Sequence, residues 1–159
     1  MLLFCSLKRV CSYNYLSVIN EIPGVIYNGC RQFCPKRSSG VKTVLIVEDD
    51  EAIGEFLVQA IQQETSHQAV LASDGFGALK LLHTLEPDLF LLDYHLPDMN
   101  GLQFYDTIHA VKALEHLPVL LISAEATRIQ KEVKARQLPL LKKPIELIDL
   151  LESIERSFT

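Results

Sequence analysis

The segment PDLFLLDYHLPDMNG, residues 87–101, is an apolar run that stops abruptly at Asp93 and gives way to a loop rich in turn formers. Three further segments repeat the arrangement. VLIVEDDEA (44–52) stops at Glu48 and Asp49, VLLISAE (119–125) at Ser123, and LLKKPIE (140–146) at the lysines ending in Lys143. An unbroken Val, Ile and Leu run, without polar alternation, marks a strand covered on both faces, and such strands belong to parallel sheets. Open parallel sheets place their ligand sites at the carboxyl ends of the strands. The fold class therefore brings Glu48, Asp49, Asp93, Ser123 and Lys143 to one edge. Three carboxylates, a hydroxyl and an ammonium are what is needed to hold a divalent cation and a phosphoryl group against one nucleophilic carboxylate.

The intervening sequence supplies the helices. Residues 43–47 read as the first strand, and Ile53, Phe56, Leu57, Ala60 and Ile61 then recur at helical spacing, predicting a helix over 50–64 with Asp50 as its N-cap. Residues 67–72 form a short second strand. Ser73, Asp74 and Gly75 open a second helix that buries Ala78, Leu79, Leu81 and Leu82. Strand three covers 88–92, and a helix from about Gly101 carries Leu102, Phe104, Tyr105, Ile108 and Val111. Strand four covers 119–122, a polar helix 126–136, and strand five 138–141. Ile145, Leu147, Ile148, Leu151, Ile154 and Phe158 mark the last amphipathic helix. The expected architecture is α/β: a doubly wound five-stranded parallel sheet with helices on both faces, joined by right-handed crossovers.

Composition bounds the function. The 159 residues, 48% of them apolar, suffice for one domain with a core. Residues 1–40 hold five basic side chains and one acid (net +4), whereas 41–159 hold ten and nineteen (net −9). An acidic domain without a basic stripe speaks against direct contact with nucleic acid, which needs clustered Lys and Arg. The four cysteines, at 5, 11, 30 and 34, all precede the domain and read as ordinary thiols; their spacing, with no histidine nearby, is a poor zinc pattern. The apolar start MLLFCSLKRVC is too short to span a membrane, and Lys8 and Arg9 interrupt it before a signal-peptide core could form. The division expected is a poorly ordered extension over 1–40 and a cytoplasmic domain over 41–159.

In their order, an acidic pair after strand one, LLDYHLPDMNG, a Ser-Ala pair after strand four and Lys-Pro after strand five, residues 41–158 resemble the receiver (CheY-like) domain of two-component response regulators. The strand order comes with that resemblance, not from the residues. The resemblance implies a phosphorelay component in which Asp93 accepts a phosphoryl group from the phosphohistidine of a histidine kinase or histidine phosphotransfer protein. Glu48, Asp49 and Asp93 would hold Mg2+, joined by the backbone carbonyl of His95. Lys143 would pair with the phosphoryl oxygens, and Ser123 would turn toward the new phosphate. Such a domain catalyses only its own phosphorylation and dephosphorylation, so it is not expected to be an enzyme. Output is expected through contact with a downstream protein target, with no membrane involvement.

Several residues compete for these roles or depart from the pattern. Asp98 reads as a turn residue, Lys142 as a solvated charge, and His67, His83, His109 and His116 lack ligand spacing. His95 and Glu125, two beyond Asp93 and Ser123, lie where family members tune the lifetime of the acyl phosphate. Leu140, three before Lys143, stands where many receivers have an aromatic residue that swings inward. The short Ser123-to-Lys143 span resembles receivers fused to hybrid histidine kinases and predicts a short or irregular fourth helix. Two alternatives stay open. A receiver fold kept only as a binding scaffold would ignore phosphodonors. A haloacid-dehalogenase-type phosphatase would use an Asp nucleophile with Mg2+, but it needs a second acid where this chain has His95.

Overall fold

The computed structural model describes residues 40–158. Within them the chain alternates strand and helix five times: β1 (Thr43–Val47), α1 (Glu51–Glu64), β2 (Gln68–Ala72), α2 (Gly75–Leu81), β3 (Leu89–Asp93), α3 (Gly101–His109), β4 (Val119–Ser123), α4 (Ala126–Ala135), β5 (Leu140–Lys142) and α5 (Leu147–Ser157). The strands form one parallel sheet in the order β2-β1-β3-β4-β5. Of the extension expected over residues 1–40, residues 1–39, with all four cysteines, lie outside the described residues. No helix among the described residues is long and apolar enough to cross a membrane.

The unbroken apolar runs divide by strand parity, as side chains two apart face the same way. Val44, Ile46, Leu89, Leu91, Leu120 and Ile122 pack against Leu57 and Ile61 of α1 and Leu150 and Ile154 of α5. Their neighbours Leu45, Val47, Phe90, Leu92, Val119 and Leu121 face the other way, onto α2, α3 and α4. On this second face Phe90 and Phe104 meet edge to face at 5.4 Å. Each fully buried Leu, Ile or Phe contributes about 1.5–3 kcal/mol through burial, so two complete cores hold the central strands in place. Local signals agree at the helix starts. Asp50 accepts from the Ile53 amide at 3.0 Å, and Asn100 and Gln103 form a capping box on α3.

Four expectations need correction. The fourth helix is neither short nor irregular: α4 has ten residues, more than α2 or α3. Ile129 and Val133, one turn apart, bury its only apolar stripe, and Arg136 at its end binds the Asp106 carboxylate of α3 through two nitrogens at 2.9 and 2.7 Å. Strand five begins at Leu140, not at residue 138, because Gln137 adopts a left-handed φ of 56° and Leu138 is still bonded back to Val133. In α5 the buried pair is Leu150 and Ile154, while Leu147 and Ile148 are exposed. Packing against α1 selects that phase of the stripe. Phe56 of α1, expected in the core, is also exposed.

Candidate functional site

Parallel strands paired in register end together at the same edge of the sheet. Asp93 closes β3 opposite Ile122 of β4, and Ser123 closes β4 opposite Lys142 of β5. Backbone bonds continue past the strand ends: Glu48 N donates to Ala72 O at 3.0 Å, Tyr94 N to Ile122 O at 2.9 Å, and Lys143 N to Ser123 O at 3.0 Å. These bonds fix the side chains that sit just beyond the sheet. Glu48 and Asp93 are buried at 2% and 4% exposure, Ser123 fully, and Asp49 is exposed.

The polar groups form one constellation. Lys143 Nζ lies 2.8 Å from Asp93 Oδ1 and 3.0 and 2.9 Å from the two carboxylate oxygens of Glu48. The other Asp93 oxygen, Oδ2, accepts from the His95 amide at 2.7 Å. Glu48, Asp49 and Asp93 each offer an oxygen within 4.8 Å of the others. Burial raises the Glu48 carboxyl above its ordinary range, against the hydrogen bond from Lys143, and the Asp93 charge adds to the rise. Burial lowers the Lys143 ammonium, but its hydrogen bonds to Asp93 and Glu48 outweigh that and leave it above the usual lysine range.

Three carboxylates against one ammonium leave two negative charges uncompensated. That surplus, on hard oxygen donors that are half buried and half open to water, fits a divalent cation of the magnesium kind. Asp50, Asp98 and Lys142 stand outside the constellation; Asp50 is occupied as the α1 cap.

A second set of contacts lies beside it. Ser123 Oγ accepts from the Glu125 amide at 2.9 Å, and the Glu125 carboxylate meets His95 Nε2 at 2.9 Å. Arg128 of α4 also binds Glu125 and lies 5.9 Å from the Tyr94 ring. The His95 and Arg128 hydrogen bonds hold the Glu125 carboxyl below its usual range. The loop after β3 and the first turn of α4 are thus bridged across the site. Sequence reading singled out His95 and Glu125 but missed Tyr94 and Arg128, which carry no motif. A groove of 670 Å³ lined by α3, β4, β5 and α5 includes none of the three carboxylates.

Residues 44–155 match the family model of the response regulator receiver domain. The chain belongs to that family. It is 31% identical over 117 residues to the chemotaxis protein CheY of Pseudomonas aeruginosa, covering 72% of this chain and 94% of that one. It is 30% identical over 117 residues to the polar-differentiation response regulator DivK of Brucella ovis, again covering 72% and 94%. Among solved structures, the non-phosphorylated HemR receiver domain of Leptospira biflexa superposes with a TM-score of 0.66 at 28% identity, over 74% of this chain and 94% of that one. The chemotaxis response regulator CheY4 of Vibrio cholerae gives 0.68 at 24% identity, over 74% and 98%, a likeness of fold. In this receiver domain the acidic edge described above lies at the carboxyl ends of β1, β3, β4 and β5.

Proposed function

We propose that the protein is a phosphoacceptor response regulator of a two-component system or phosphorelay, acting in the cytoplasm, with Asp93 as the residue phosphorylated. The reading rests on one observation: Asp93 is buried with one oxygen on Lys143 and the other on the His95 amide, beside Glu48 and Asp49. A carboxylate and a phosphoryl group repel each other, so transfer needs both held in line among positive charges and donors. Lys143 is one such charge, already in place. Glu48, Asp49, Asp93 and the His95 carbonyl are the residues that would hold Mg2+, which when bound would neutralise charge on the phosphoryl oxygens. In the transfer an Asp93 oxygen forms a bond to phosphorus as the phosphorus–nitrogen bond of the donor phosphohistidine breaks, its electron pair returning to the imidazole. Ser123, buried one strand away and flanked by Ala124, is placed to turn its hydroxyl to the product.

The donor is a histidine kinase or histidine phosphotransfer protein, and the output is contact with a downstream protein. Phosphorylation shifts a pre-existing equilibrium between two surface conformations and catalyses nothing beyond the domain's own phosphate gain and loss. Acetyl phosphate with Mg2+, followed by intact-mass measurement, tests the reading. One added phosphate, absent in Asp93→Asn, supports it. No added phosphate supports the binding-scaffold alternative, and steady turnover of phosphomonoesters supports a phosphatase.

A further inference from the structure

The seven residues between β3 and α3 carry His95, whose amide binds Asp93 and whose carbonyl the proposed function assigns to the cation. Their base is tightly tied. Gly101 N donates to Tyr94 O at 2.8 Å, and His95 and Asn100 form an antiparallel bridge. Their tip is tied as well, to a different part of the chain. Asp98 Oδ1 accepts from Gly75 N at 3.0 Å and Oδ2 from Phe76 N at 2.7 Å, so one carboxylate takes the first two amides of α2. The Met99 thioether closes over the same turn, so near that a methyl group on Gly75 would fall 2.8 Å from its sulfur. Helix α2 is already capped by its own residue: Asp74 Oδ1 accepts from Gly77 N at 2.6 Å. Asp98 thus serves the two α2 amides that Asp74 does not, and the same carboxylate gives the loop the one polar tether at its tip among these contacts.

We infer that Asp98 is a positioning residue for the cation site: by pinning the loop tip to α2 it fixes the backbone of His95 against Asp93. The inference rests on the proposed Mg2+ site. A magnesium ion demands near-octahedral geometry at short distances and tolerates a wandering ligand poorly, so rigidity in the supporting loop becomes affinity. His95 sits at the tied base, but the peptide that bears its carbonyl leads into the tip, so a loop without the Asp98 tether would let that carbonyl move among more positions. Tied at both ends, it holds one.

Mg2+ titration by calorimetry on the full chain, without any phosphodonor, tests this. Asp98→Ala is expected to raise the Mg2+ Kd about tenfold, the low end of what loss of an outer-shell partner causes. Asp98→Asn, which keeps one acceptor oxygen, should fall between that and wild type. Asp74→Ala removes the other α2 cap without freeing the loop and should leave the Kd within about twofold of wild type, although it should unfold at a lower temperature. The inference is overturned if Asp98→Ala and Asp98→Asn bind as wild type does, or if Asp74→Ala weakens binding as much as Asp98→Ala. Should wild type itself take up no Mg2+, the proposed cation site fails, and this inference with it; a normal wild-type Kd with an unchanged Asp98→Ala sinks the inference alone.

Discussion

The Lys143 ammonium sits 2.8 Å from Asp93 Oδ1 and at the same time within 3.0 Å of both Glu48 oxygens, so a single cation holds two buried carboxylates. Removing it leaves both charges without their main partner. Lys143→Met should therefore lose about 2–4 kcal/mol at neutral pH without Mg2+, in line with breaking a buried ion pair from one side. Mg2+ should restore more stability to this variant than it adds to wild type. Urea unfolding with and without the metal checks both.

Glu48 gives the opposite sign. Its carboxyl is raised by burial, so the folded state favours the protonated form and the charge is a net cost at pH 7. A group raised in this way contributes stability fully below its unfolded value and loses it as pH rises through the folded value. Glu48→Gln should therefore stabilise the metal-free protein at pH 7, by on the order of 1 kcal/mol for each unit of rise. The advantage should vanish near pH 4, where wild type is protonated too. The same variant should gain less from Mg2+, and denaturant midpoints across pH 4–8 would show both effects.

Much of this site could be read before any coordinates, for a physical reason. Strands buried on both faces have no polar residues except where they emerge, so Glu48, Asp93, Ser123 and Lys143 announce the strand ends, and parallel pairing brings those ends together. What could not be read depends on distant packing. LIDLLESIERS allows more than one helical stripe, and only contact with α1 decides that Leu150 and Ile154 are buried while Ile148 is exposed. The position of α4 rests on burial of Ile129 and Val133 against distant residues, and its end meets Asp106, thirty residues before Arg136. Asp98 lies in a bend of the loop after β3, and its partners lie 23 and 22 residues upstream, beyond the reach of any local pattern.

On the proposed function, Ser123 should separate uptake of phosphate from its consequence. Its hydroxyl now accepts from the Glu125 amide just before α4, a helix with no side-chain cap of its own. Ser123→Ala should still gain phosphate on Asp93 but lose the phosphate-dependent change in amide exchange over residues 124–136. Losing that acceptor should also cost about 1 kcal/mol. Exchange mass spectrometry on both states is the measurement, and an unchanged phosphate response in the variant would assign the switch to another residue.

The His95–Glu125 contact, with Arg128 behind it, bridges the loop after β3 and the start of α4. If Asp93 is phosphorylated as proposed, a bridge there would limit the approach of water to the acyl phosphate from the open side. Glu125→Ala should shorten the half-life of the phosphorylated protein severalfold while leaving the Asp93 and Lys143 contacts intact. Phosphate release after removal of the donor measures it, and an equal or longer half-life would mean the pair is a surface contact without bearing on hydrolysis.

Gly101 makes the closest approach to the acceptor strand. A Cβ there would lie 2.7 Å from the Asp93 carbonyl oxygen and 2.8 Å from Leu121 Cδ1, with the Tyr94 backbone at 3.1 Å. Two of those three neighbours are main chain and cannot turn aside as a side-chain tip would. Gly77 is the useful contrast, because a methyl there meets only the Asp74 carboxylate, no closer than 3.1 Å, inside a helix that favours alanine. Gly101→Ala should therefore destabilise by about 1–3 kcal/mol, the usual cost of overpacking, while Gly77→Ala changes stability by less than about 1 kcal/mol in either direction. Because the displaced backbone is that of Asp93 itself, Gly101→Ala should also slow phosphorylation by acetyl phosphate under conditions where the protein remains folded, whereas a loss of stability at normal phosphorylation rates would confine the role of Gly101 to packing.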